Sequence, residues 1–101
     1  MATMFVSSVS SRSVGTDLFI KLNVVDGDGA PVDAVRVKTN VYHEDGWSVQ
    51  NSKKTDELGD DEFRIGNAPS GLYVVFPFSL TKEGYTWDTT HGVRSAEVAK
   101  P

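Results

Sequence analysis

Asp26-Gly27-Asp28-Gly29 is the densest chemical signal in the chain. Two carboxylates two residues apart on a glycine-rich loop are hard oxygen donors of the kind calcium takes, with Asp56, Asp60 and Asp61 as additions from a second acidic stretch. The fuller calcium loop, with three alternating acids, a glycine and a closing Glu, is absent. Asp and Gly are also what a tight hairpin requires, so the expectation is a turn and no calcium dependence. His43-Glu44-Asp45 and the distant His91 match no paired-His ligand spacing and read as exposed turn residues. Asp60-Asp61-Glu62 sets carboxylates side by side, whereas glycoside hydrolysis needs two facing each other across a cleft, so this stretch reads as a solvated acidic turn. Pro69-Ser70-Gly71 lacks the nucleophile elbow, and no glycine-rich phosphate cradle occurs. The absence of cysteine excludes disulfides, thiolate ligands and a cysteine nucleophile together. No catalytic residue, cofactor or metal is expected. The rings of Trp47, Tyr85 and Trp87 remain as ligand-binding candidates, because they follow a turn or sit on a polar loop, and exposed aromatic faces stack on sugars. Against that stands the usual burial of Trp, which makes Trp47 an anchor of its hairpin or core and Trp87 the anchor of its loop.

These residues must be positioned by β-strands. In Asp17–Val25 the apolar residues Leu18, Ile20, Leu22 and Val24 share one face and Lys21 and Asn23 the other, the period of a half-buried strand. Val32–Tyr42 repeats the pattern with Val35, Val37, Thr39 and Val41, and DGDGAP between the two runs supplies turn residues. Residues 4–9 form a short alternating segment suited to an edge strand, and SRSVGT after it is turn-like. Asp45-Gly46 favours a hairpin, followed by a strand with Trp47, Val49 and Asn51 on one side. Phe63 and Ile65 mark a short inward strand. Leu72, Val74, Phe76, Phe78 and Leu80 then alternate along a central one, with Pro77 at a bulge, a strand end or an unpaired stretch. TKEGYTWDTTHG is a polar loop, and VRSAEVA a last strand. No helical window or internal repeat occurs, and short strands punctuated every eight to twelve residues indicate an antiparallel sandwich.

A chain of 101 residues is sized for one domain. The bounds read as 4–99, with 1–3 an added start and 100–101 the beginning of a linker. The net charge of -4, without clustered Lys and Arg in the sequence, argues against nucleic acid as partner. No apolar run approaches the ~18 residues that would span a bilayer, so no membrane insertion is expected. The N-terminal stretch lacks the basic and apolar regions of a secretory signal.

The hairpin VVDGDGAPVDAVRV, the acidic turn Thr55-Asp56-x-x-Gly59 leading to Phe63, and Pro69-Ser70-Gly71-Leu72-Tyr73 together resemble the small β-sandwich modules of multidomain bacterial exported proteins. Such modules include immunoglobulin-like and fibronectin-III-like accessory domains of secreted hydrolases, carboxypeptidase regulatory-like domains and B-type repeats of collagen-binding adhesins. The resemblance covers roughly residues 17–88. It implies an immunoglobulin-like or transthyretin-like sandwich of about seven strands, with Leu18, Ile20, Leu22, Val24, Val35, Val37, Val41, Phe63, Ile65, Leu72, Val74 and Phe76 as core and Tyr73 capping one end. It also implies a secreted or cell-surface location, other domains of the parent chain as partners, and a non-catalytic accessory role. The alternative is a carbohydrate-binding or adhesion module with a polysaccharide or cell-surface ligand. Some adhesin repeats carry a Lys–Asn cross-link. Here Val24 and Val25 stand where that pattern places Lys, Lys21 is out of place, and no cross-link is expected.

Overall fold

The computed structural model describes residues 2–101, which form eight strands and no helix: β1 (Ala2–Val14), β2 (Asp17–Asp26), β3 (Arg36–His43), β4 (Ser48–Lys54), β5 (Asp60–Ile65), β6 (Gly71–Thr81), β7 (Tyr85–Trp87) and β8 (Ala96–Lys100). They pack as a sandwich of two four-stranded sheets, ordered β5-β2-β1-β7 and β4-β3-β6-β8. The all-β sandwich is thus the fold, with eight strands where about seven were expected. The ladders are antiparallel except one: Ala2, Thr3 and Met4 run parallel to Tyr85, Thr86 and Trp87.

The alternation of β2 puts Leu18, Ile20, Leu22 and Val24 fully inside. Facing them from the other sheet are Val37, Thr39 and Val41 of β3, with Val35 just before it, while Phe63 and Ile65 of β5 close the layer. Each of these strands buries one face only, so a period of two suffices to sort inside from outside.

In β6 the structure inverts the expected register. Leu72 and Val74 are 41% and 40% exposed and Phe76 is half-buried without packing on the core, whereas Tyr73, Val75 and Pro77 point in. The cause is Tyr73. Its ring is fully buried and its hydroxyl donates to the Pro69 carbonyl at 2.5 Å, a cap that fixes the strand's phase at its first turn. Phe78 then falls at a bulge, where Thr39 pairs with Pro77 but Lys38 pairs with Ser79. The extra residue resets the phase, Leu80 turns inward, and proline sits where the ladder is interrupted.

Two further corrections concern the first sheet. β1 is thirteen residues long and runs through the first four residues of the expected turn at 11–16; the chain reverses at its last two, Gly15-Thr16. Its second half is exposed and therefore shows no alternation to read. On the side of β1 away from β2, β7 pairs only with Ala2, Thr3 and Met4, so the edge expected for residues 4–9 is covered at Met4 and left without a ladder partner at residues 5–9 among the described residues. Met1 lies outside the described residues. The loop expected at 81–92 contains β7, whose partner lies some eighty residues earlier and leaves no local trace. At the other terminus Lys100 pairs with Gly71, and Ser70 Oγ donates to the Pro101 carbonyl at 2.9 Å.

The inverted register is open to a direct test. Val75→Ala should destabilise the fold by about 2 kcal/mol through lost burial and a cavity. Val74→Ala, one residue away, should cost about 0.5 kcal/mol or less. Urea melts of the two variants distinguish the registers, because the opposite phase predicts the reverse order.

Candidate functional site

At one end of the sandwich the β3–β4 hairpin builds an aromatic corner. Trp47 follows the Asp45-Gly46 turn and stacks on His43, with ring centroids 4.9 Å apart and planes 9° from parallel. Tyr73 meets both rings edge-on, at 4.7 Å from His43 and 5.8 Å from Trp47. His43 is therefore 4% exposed, not the exposed turn residue expected; its Nδ1 accepts from the Asp45 N–H and its Nε2 lies 3.2 Å from the Ser70 carbonyl. Burial, followed by the charge of Asp45, raises the Tyr73 phenol above its ordinary range. Glu44 and Asp45 are exposed.

The opposite end carries two turns of one design. Asp26 Oδ1 accepts from the N–H groups of Asp28 (2.9 Å) and Ala30 (3.0 Å), and Asp56 Oδ1 accepts from those of Leu58 (2.9 Å) and Asp60 (3.0 Å). In each, the fourth residue is a glycine at positive φ, Gly29 at 87° and Gly59 at 79°. Gly59 is doubly constrained, since a Cβ there would collide with the Val24 carbonyl, and its own carbonyl accepts from the Val24 N–H at 2.8 Å. Asp26 and Asp56 thus spend one oxygen each on their own backbone, Asp28 is exposed, and Asp60 accepts from Asn23 Nδ2 at 2.9 Å. Among the described residues no three acidic or histidine side chains gather as a metal site.

Tyr85 and Trp87 lie on β7, half-buried against the core; Lys82 Nζ is 5.4 Å from the first ring and Arg94 Cζ 5.2 Å from the second. The structure therefore does not bring Trp47 together with Tyr85 and Trp87: they occupy different sheets and opposite ends. Beyond Trp87, Asp88 is held down to about 2 by the Thr90 hydroxyl, the Thr90 N–H and the exposed His91, whose Nδ1 is 2.7 Å away.

Asp61 is the residue that the acidic-turn reading misplaced. It is fully buried. Extending the Phe63–Ile65 alternation back by one step would have placed it inward. Both of its oxygens lack a hydrogen bond, as do the buried Thr39 Oγ1 and Asn51 Nδ2, whose residues are cross-strand partners on the facing sheet. Burial pushes the Asp61 carboxyl up to about 6, opposed by the Lys53 charge and by the nearby Asn51 amide. A groove of about 270 Å³ runs between β4 and β5 past Val49, Asn51, Phe63 and Ile65, but Asp61 does not line it. A carboxyl in this range suits proton transfer, yet here it faces the interior of the sandwich.

Comparison with family models, with curated proteins and with solved structures finds no match.

Because the folded state raises this acid above its ordinary value of 3.8, the native protein holds the proton more tightly than the unfolded chain. The contribution is fully present below about pH 4 and is lost as pH rises through 6, by about 3 kcal/mol in all. Asp61→Asn should remove that component. The wild-type melting temperature measured relative to the variant should fall between pH 4 and 7; two parallel profiles would show that Asp61 ionises freely.

Proposed function

We propose that this chain is a non-catalytic accessory module of a larger exported bacterial protein, such as a secreted hydrolase or adhesin, and that it spaces that protein's other domains. The observation that carries the reading is the placement of the two ends. Ala2 pairs beside the acidic-turn end and Lys100 beside the aromatic-corner end of a body 41 Å long. Segments continuing from either side would leave in opposite directions, as a link between domains in series requires.

The employment of the reactive side chains supports the same reading. Asp26 and Asp56 close turns, His43 and Trp47 fill a hairpin corner, and Asp88 orders its own loop. The resemblance of the Asp26 hairpin, the Asp56 turn and the Pro69–Tyr73 cap to modules of exported proteins accounts for the proposed location.

The gene's complete reading frame tests the proposal: it should encode further extracellular domains beside this one, and a frame holding this domain alone would overturn it. Trp47→Ala should cost about 2–3 kcal/mol, toward the lower bound for a Trp truncation because the ring is half-buried. A Trp47→Ala variant that melts like the parent but loses retention on insoluble cellulose would make that ring a ligand platform instead.

A further inference from the structure

On the outer face of the β4-β3-β6-β8 sheet, rings, amides and cations follow one another in order along the strands. At the aromatic-corner end the exposed Tyr42 lies between Ser48 and the exposed Val74. In the next outward row Asn40 lies between Gln50 and the half-buried Phe76. Lys38 follows, between Ser52 and Ser79, and then Arg36 between Lys54 and Thr81. From Tyr42 to Arg36 the strip is about 20 Å long and one sheet face wide.

Its charge is opposite to that of the chain as a whole, which is -4. Arg12, Arg64 and Lys82 are in ion pairs with carboxylates, whereas Arg36, Lys38 and Lys54 are in none among the described residues; Arg36 reaches only Ser52 Oγ, at 3.5 Å. Beside them a shallow hollow of about 450 Å³ is bounded by Arg36, Lys54, Thr81, Lys82 and Tyr85. Two carboxylates border the strip: Glu83 on the hollow, and Glu97 opposite Val74 at the far end. In the middle, Gln50 Nε2 donates to Asn40 Oδ1 at 3.1 Å and Asn40 Nδ2 donates to Tyr42 Oη at 3.2 Å. This chain fixes the amides in the plane of the face and leaves the Tyr42 O–H free to donate outward.

We propose that this face binds an acidic polysaccharide, one bearing carboxylates or sulfates, with the anionic groups at Arg36, Lys38 and Lys54 and a sugar ring against Tyr42 and Phe76. The occupant follows from the combination. Unpaired cations select an anion, a fixed row of amides and hydroxyls matches sugar hydroxyls, and flat apolar rings match a sugar's C–H face. A bilayer would leave the central amides desolvated without partners, and a nucleic acid needs basic charge along the whole track, where this strip has it at one end. The proposal goes beyond the spacer role and does not depend on it.

The test is calorimetric titration of the chain with an oligogalacturonate and with a cello-oligosaccharide of equal length, at 50 and 500 mM salt. The acidic oligomer should bind, bind about tenfold more weakly at the higher salt, and outcompete the neutral one. Arg36→Gln and Lys54→Gln should each weaken binding about fivefold to tenfold. Tyr42→Ala should weaken it at both salt concentrations. Lys21→Gln, which removes the same charge from the outer face of the other sheet, should change nothing. Absence of binding at 50 mM salt, or equal loss in Lys21→Gln, would overturn the proposal. So would retention of the chain by vesicles containing a third anionic phospholipid when the oligogalacturonate does not bind.

Discussion

Tyr73 carries a large ring and one hydroxyl, and the sandwich can bury the ring only by giving the hydroxyl an acceptor. The Pro69 carbonyl, four residues back, is that acceptor. Once the bond is made, the phase of β6 is settled: Tyr73, Val75 and Pro77 must face in and Leu72, Val74 and Phe76 out. The neighbours follow. His43 is drawn under cover by its edge contact with Tyr73, and Trp47 can stack on His43 because the Asp45-Gly46 turn returns the chain directly over it. The side chains turned outward by this choice, Leu72, Val74 and Phe76, lie on the outer face of the sheet, with Val74 beside the exposed Tyr42 of β3.

Order at the other end comes from backbone hydrogen bonding. Asp26 and Asp56 each hold two N–H groups with one carboxylate oxygen, and the glycine three residues on supplies the left-handed turn. The Asp56 turn docks on β2 through Gly59, whose carbonyl accepts from the Val24 N–H, and this ties the β4–β5 connection to the last buried residue of β2's alternating run. One end is thus closed by aromatic packing and the other by backbone capping.

Where one strand buries one face, the sequence was readable: β2, β3 and β5 show inside and outside by alternation, and Asp-x-x-Gly marked both turns. β6 was ambiguous because both its faces are apolar, so alternation alone could not choose between Leu72 and Tyr73. The decisive signal was the hydroxyl of Tyr73, which matters only in three dimensions. β7 and the second half of β1 escaped for a different reason: one is a three-residue parallel pairing across most of the chain, the other exposed on both faces. At the candidate sites, Trp47, Tyr85 and Trp87 stand out in the sequence as large rings near turns and loops, but their separation across two sheets and two ends is a property of topology. The strip on the outer face was hidden because its members are scattered from Arg36 to Thr81 and become neighbours only through strand register.

Asp61 poses the remaining question of why an edge strand points a carboxylate inward beside Leu22 when an apolar residue would pack more favourably there. The answer lies in which strands are left open. β5 is the edge of one sheet and β4 the edge of the other, on the same side of the sandwich, so this side offers two unpaired ladders to any passing strand. β4 is exposed along nearly its whole length and ends in Ser52, Lys53 and Lys54; β5 alternates Asp61 inward with Glu62 and Arg64 outward. A strand adding to β5 would extend the sheet beside an inward-pointing carboxylate, and inward-pointing charge is one of the devices by which edge strands resist pairing. The same inward acid that lowers the stability of the fold at neutral pH therefore penalises edge-to-edge association. On the opposite side β7 pairs only with Ala2–Met4 of β1 and β8 only with Gly71–Val75 of β6, so the added strands there are short and each ladder stops partway along its neighbour.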